Sequence, residues 1–122
     1  SDTDIYLADT IGELGLFFSL SKITFMGKSL VPLGGQNPIE PLKLGSSVIH
    51  GPHMSNFPEI VKELSKFGCA VQIENSNQLY TGVYDLLSNQ KKVKNIIKNG
   101  EIYLNSKKLV AENIKNKIVS LL

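Results

Sequence analysis

Three short apolar segments, at residues 23–26, 47–50 and 70–73, recur along the chain with helix-like stretches between them, and a fourth, at residues 5–8, precedes the first helical pattern. Each is too short for a helix and is bounded by turn-forming or polar residues, so each reads as a buried strand. Strands that alternate with helices call for parallel pairing, right-handed crossovers and a sheet covered by helices. The expected fold is therefore α/β, a Rossmann-like parallel sheet flanked by helices. Such sheets bind ligands in crevices outside the carboxyl ends of their strands.

Helix starts are marked by polar residues at capping-box spacing: Thr10 before Glu13, Asn37 before Glu40, and Asn56 before Glu59. Pro38 falls at a first helical position, where its missing N–H costs nothing, and Gly45 and Gly68 punctuate helix ends. Beyond residue 75 only helical periodicity is found. It predicts helices over 77–87, 90–105 and 108–121, with Val93, Ile96, Ile97, Val110, Ile114, Ile118 and Leu121 facing inward. The 122 residues thus divide into a β/α core over 1–75 and a helical completion over 76–122, together one domain.

Several function classes are excluded by composition. Hydrophobic residues at 42% and charged residues at 20% fit a globular chain. The longest apolar stretch, residues 14–20, is interrupted by Gly15 and Ser19 and falls short of the roughly 18–20 residues of a membrane span. No secretory signal pattern is present, and the lone Cys69 fits a reducing, cytoplasmic setting. Residues 1–60 carry three lysines against six acids, whereas residues 61–122 carry ten against five. Those lysines follow helical spacing without interleaved aromatics, the pattern of solvated helix faces, so no nucleic-acid partner is expected.

The segment most informative about chemistry is Gly27-Lys28-Ser29-Leu30-Val31-Pro32-Leu33-Gly34-Gly35-Gln36-Asn37-Pro38-Ile39-Glu40-Pro41, which joins a strand to a helix start. Gly34 and Gly35 let the backbone approach a ligand, and free N–H groups at a helix start form an anion site. Glu40 offers two acceptor oxygens to a sugar diol. Taken alone, Asn37 and Glu40 read first as a plain capping box, the pattern repeated at Asn56 and Glu59, but such a cap needs no long Gly-Pro loop ahead of it. Asp9-Thr10-Ile11-Gly12-Glu13-Leu14 also opens a helix just after a predicted strand, so the two loops are expected to flank one cleft.

Other motifs carry less. Asp2-Thr3-Asp4 imitates a metal-binding Asp-x-Asp at a terminus, and His50 and His53 are separated by Gly51-Pro52 with no third ligand nearby, so no metal is expected. Cys69 reads as a small buried hydrophobe. Asp9 and Glu13 are assigned no proton-transfer role, and no residue is assigned as catalytic.

The string Ser29-Leu-Val-Pro-Leu-Gly-Gly-Gln-Asn-Pro-Ile-Glu-Pro41, with Gly51-Pro52-His53 and Asn56-Phe57 after it, resembles the C-terminal domain of the lipid A Kdo transferase family. Kdo is 3-deoxy-D-manno-octulosonic acid. The likeness is strong over residues 5–73, and the helical tail matches only in general character. It implies the C-terminal half of a GT-B glycosyltransferase fold, with CMP-Kdo as donor and a lipid A precursor as acceptor. It also implies action at the cytoplasmic face of the bacterial inner membrane. By the resemblance, Gly12, Glu13, Leu14, Asn37, Pro38, Ile39 and Glu40 contact CMP, while Ser29, Gly34, Gly35 and Gln36 belong to the donor loop. No cofactor or metal is implied. The acceptor domain, general base and membrane association belong to sequence outside this chain, so the chain alone is expected to be inactive. The family shows Gly-Gly-Ser where this chain has Gly27-Lys28-Ser29. Another nucleotide sugar such as a UDP donor, or a non-catalytic flavodoxin-like module, fits the spacing without the resemblance.

Overall fold

The computed structural model describes residues 2–122. Its elements are α1 (Leu14–Leu20), β1 (Ile23–Phe25), α2 (Ile39–Lys43), β2 (Ser47–His50), α3 (Pro58–Phe67), β3 (Ala70–Gln72), α4 (Ser76–Ser88) and α5 (Gln90–Ser120). The three strands form one parallel sheet in the order β1-β2-β3, with Thr24 level with Val48 and Val48 level with Ala70. All four residues of the central strand are buried, the mark of a parallel sheet covered on both faces.

Alternation along β2 sends Val48 and Ile49 into two separate cores. Val48 joins Met26, Leu42, Leu64, Cys69 and Tyr103, beneath α2, α3 and the middle of α5. Ile49 joins Ile73, Leu86, Val93 and Ile96, beneath α4 and the start of α5. Full burial of side chains this size contributes about 1.5–3 kcal/mol each. One long helix therefore serves both faces, and it crosses between them at Gly100, where a Cβ would lie 2.8 Å from the Leu42 side chain.

Gly45 (φ 80°) and Gly68 (φ 66°) end α2 and α3 in the left-handed conformation, as their positions predicted. Of the three predicted capping boxes, none forms in full. Thr10 donates its hydroxyl to the Glu13 carboxylate, and Glu13, not Thr10, is the residue that precedes α1. Asn37 accepts from the Ile39 N–H at 3.0 Å without reciprocation by Glu40. Ahead of α3, Phe57 supplies no side-chain cap, and Pro58 starts the helix instead. The working asparagine caps lie at Asn75, which accepts from Gln78 N–H at 2.9 Å, and Asn89, which accepts from Lys92 N–H at 3.0 Å.

Three further expectations are corrected. Residues 5–8 form no strand and lie outside the sheet, leaving Ile5 88% and Leu7 80% exposed; Tyr6 leans on Phe17, ring centroids 5.8 Å apart. The helices expected over 90–105 and 108–121 are one. Ser106 turns its hydroxyl back onto the Tyr103 carbonyl at 2.6 Å rather than capping a new helix, and no Gly or Pro falls between residues 101 and 120 to break it. Val110, Ile114, Ile118 and Leu121 face solvent, since 31 helical residues reach roughly 46 Å and outrun a sheet of three- and four-residue strands. Among the described residues no helix is long and apolar enough to cross a membrane.

Candidate functional site

At the carboxyl end of β1 the chain enters a loop held from within by one serine. Ser29 is fully buried; its hydroxyl donates to the Met26 carbonyl at 2.6 Å and accepts the Gly51 N–H at 2.8 Å. Its carbonyl accepts the His53 N–H at 2.9 Å. Two of these bonds tie the loop after β1 to the loop after β2, and the third folds the first loop back on itself. The approach is too close for side chains: a Cβ at Gly34 would lie 1.7 Å from the Lys28 carbonyl, and one at Gly51 would lie 2.2 Å from that of Ser29. Gly35 (φ 100°) is less crowded but still close, with a Cβ 2.8 Å from the Met54 sulfur and 2.9 Å from the His53 carbonyl.

Lys28 (φ 61°) and Leu33 (φ 60°) in this loop adopt the left-handed conformation despite carrying side chains. That costs about 1–2 kcal/mol for each residue. Strain of this kind persists where the surroundings over-determine the backbone, and it gathers at functional sites. It also explains why a glycine at position 28 would be at ease.

The loop forms one side of a cleft of about 240 Å³, lined by Gln36, Asn37 and Glu40. Leu14 and Phe18 of α1 form the other side, and Thr24 through Gly27, at the end of β1, form the floor. The two predicted loops therefore meet. Leu14, Asn37, Glu40 and Gln36 line the cleft directly, whereas Ser29, Gly34, Gly35 and Pro38 are buried behind it and shape it. Ile39 is half-buried against the first core. Gly12 (φ 92°) and Glu13 precede Leu14 in an exposed segment, with nothing within 4 Å of a Cβ built on Gly12. The Glu40 carboxylate is exposed and makes no hydrogen bond or ion pair among the described residues, which leaves both oxygens open to a ligand. The Ile39 N–H, one donor expected to face a phosphate, is taken by Asn37.

A larger, mostly apolar cleft of about 700 Å³ lies between α2, α3 and α5. Its central polar groups already satisfy one another: Glu63 accepts the Tyr103 hydroxyl at 2.8 Å and the Lys107 ammonium at 2.7 Å. The Lys107 contact, with the Tyr103 bond, holds the Glu63 carboxyl below its ordinary range, and burial, with Glu63 beside it, pushes the Tyr103 phenol up. Glu63, its half-buried carboxylate, is thus already engaged, and of the two loops singled out by the sequence only Ile39 reaches this cleft, so the smaller cleft is the better candidate.

The remaining motifs are structural. Burial pushes the Cys69 thiol up to about 11, far from a nucleophile. His50 is buried and donates its Nδ1 hydrogen to the Gly51 carbonyl at 2.7 Å. No group of three metal-ligating side chains occurs among the described residues. Sequence reasoning missed the buttressing by Ser29 and Gly51, for which the one available signal was a serine and a glycine in two strand-end loops.

No protein-family model matches the chain. The 3-deoxy-D-manno-octulosonic acid transferase of Haemophilus influenzae is 38% identical over 90 residues, covering 74% of this chain and 21% of that protein. Its counterpart in Rickettsia prowazekii is 34% identical over 118 residues, covering 93% of this chain and 25% of that protein. The chain is a homologue of the Kdo transferases. It spans a fifth to a quarter of the length of these relatives. The fold agrees: the C-terminal CMP-Kdo binding domain of WaaA from Acinetobacter baumannii superposes with a TM-score of 0.80 at 30% identity, covering 84% of this chain and 53% of that one. The α/β fold expected from the strand rhythm, here with a three-stranded parallel sheet, is the fold of that CMP-Kdo binding domain.

Proposed function

We propose that this chain is the donor-holding part of a Kdo transferase, binding CMP-Kdo and its product CMP in the cleft at the end of β1. The observation that carries the proposal is the convergence of Leu14 with Asn37 and Glu40 on one cleft, since these belong to the two loops that the family resemblance assigns to the nucleotide. Glu40, with both oxygens open, accepts hydrogen bonds from the two ribose hydroxyls. At about 240 Å³ the cleft is below the ~300–1,000 Å³ of whole-ligand sites, as fits a site that holds the nucleotide and leaves the sugar to other surfaces. Transfer breaks the bond between the sugar and the CMP phosphate while an acceptor hydroxyl bonds to the same sugar carbon and gives up its proton, and the side-chain amides of Gln36 and Asn37, which line the cleft, are the donors that meet the charge left on the phosphate. The acceptor, a lipid A precursor at the cytoplasmic face of the inner membrane, is engaged by parts of the enzyme outside this chain. On that reading this chain alone does not turn over.

The test is titration of the purified chain with CMP, UMP and UDP, followed by amide chemical shifts. CMP is expected to move Gly12–Leu14 and Gln36–Glu40 more than UMP or UDP does, and no response to CMP overturns the reading. Glu40→Gln keeps the side chain's shape and removes its charge. It should weaken CMP about tenfold and leave thermal stability unchanged. Unchanged CMP affinity would remove Glu40 from the site.

A further inference from the structure

Across the cleft from Asn37 and Glu40 the wall is apolar. Leu14 and Phe18 stand four residues apart on α1, so one face of that helix carries both. Neither serves a core. The clusters around Val48 and Ile49 draw on no side chain of α1, and no residue of α1 is buried. The helix is nevertheless seated against the end of α2, where a Cβ on Gly15 would lie 3.8 Å from the Leu44 side chain, an ordinary packing contact. Two phenylalanines line the cleft, and they differ. Phe25 packs against the second core, whereas Phe18 is half-buried, belongs to neither core and stacks on no other aromatic ring among the described residues.

We infer, on the reading that this cleft holds CMP, that Phe18 is a binding residue for the donor whose ring takes the flat face of the pyrimidine. The three parts of CMP ask for different surroundings. The phosphate is charged and goes to the side-chain amides of Gln36 and Asn37, and the ribose diol goes to the Glu40 carboxylate. The base alone has an uncharged flat face to lay on an apolar wall. An aromatic side chain there gains dispersion and ring-to-ring attraction that an aliphatic one of similar size does not supply. Leu14, one turn earlier, extends the same wall beneath the edge of the base. A stack meets the face of a base and not its edge, so every base can form it. Phe18 therefore supplies affinity and orientation, and the choice of cytosine over uracil falls to groups that meet the base edge.

Titration of the purified chain with CMP, followed on the H5 and H6 protons of the nucleotide itself, tests the assignment. Protons held over an aromatic ring move upfield, so both signals should move upfield on binding. Phe18→Tyr keeps the ring and should keep that movement, with affinity within about twofold of the parent. Phe18→Ala should lose the movement and bind CMP about tenfold more weakly. Alanine favours helix and Phe18 lies outside both cores, so circular dichroism should match the parent. If Phe18→Ala unfolds instead, the upfield movement in the parent and in Phe18→Tyr decides. CMP that binds the parent with no upfield movement of H5 and H6, or binds a folded Phe18→Ala as tightly, overturns the inference and leaves the cleft as the CMP site. A parent chain that does not bind CMP removes both.

Discussion

On one side of the candidate cleft, residues 27–37 are held by three hydrogen bonds to Ser29 and by two glycines, Gly34 and Gly51, that leave no room for a methyl group. Ahead of the other side, which Leu14 and Phe18 of α1 form, residues 5–13 lie exposed; the Thr10–Glu13 side-chain bond is internal to them, and Tyr6 leans on Phe17. The same nucleotide is proposed to touch both. A preformed wall binds without losing conformational entropy at that moment, whereas a loose wall loses it on binding and subtracts that cost from affinity. The difference teaches that changes in the first wall should appear in stability and binding together, and changes in the second in binding alone.

The largest break in that contrast should come from Gly34→Ala. The new methyl would overlap the Lys28 carbonyl at 1.7 Å, which the loop can relieve only by moving away from Ser29. A loss of about 3 kcal/mol in denaturant unfolding is expected, with CMP-induced shifts abolished. A variant that keeps parental stability would mean the loop is looser than its bonds imply.

Ser29→Ala should come next. It removes no bulk of consequence but strands the Gly51 N–H, which is buried, and such a group costs about 1–3 kcal/mol. CMP affinity should fall with stability, because the bridge between the two strand-end loops goes with the hydroxyl. Gly12→Ala is the matching experiment on the loose wall. Its φ of 92° disfavours alanine, yet nothing stands within 4 Å of the added carbon. Melting temperature should stay within about a degree, since an unanchored segment contributes little to global unfolding, while CMP affinity drops several-fold. Equal losses of stability in the two variants would erase the distinction between the walls.

What the sequence made legible follows the same division. The strands at 23–26, 47–50 and 70–73 were readable because a buried parallel strand has few compositions open to it. The cleft was readable because Gly34, Gly35 and the Asn37-Pro38 start announce an irregular loop at a strand end. The strand expected over residues 5–8 failed for a reason that no local pattern records: Ile5-Tyr6-Leu7-Ala8 has strand composition, but a strand exists only when another edge pairs with it. The distal half of α5 failed likewise, since Val110, Ile114 and Ile118 keep helical spacing while the sheet they would cover has ended. Periodicity gives the face of an element and not its partner. The Ser29 bridge was hidden for a third reason, as its partners lie 22 and 24 residues away and depend on how two loops meet.

The smallest expected effect isolates the strain of the rigid wall from its chemistry. Lys28 holds φ at 61°, a conformation that favours glycine, in the loop whose related sequences carry glycine there by the resemblance. Lys28→Gly should relieve about 1–2 kcal/mol of left-handed strain and give back about half of it through the greater freedom of the unfolded chain. The net gain, somewhat under 1 kcal/mol, should appear as a small rise in the denaturant midpoint with an unchanged slope. Lys28 does not line the cleft, so CMP affinity should stay within about twofold at moderate salt. If affinity falls further while stability rises, the ammonium group reaches the donor phosphate, and the strained backbone is kept for the charge it carries. Should stability fall instead, the lysine stem packs more than its exposure shows, and the rigid wall owes part of its order to that side chain rather than to Ser29.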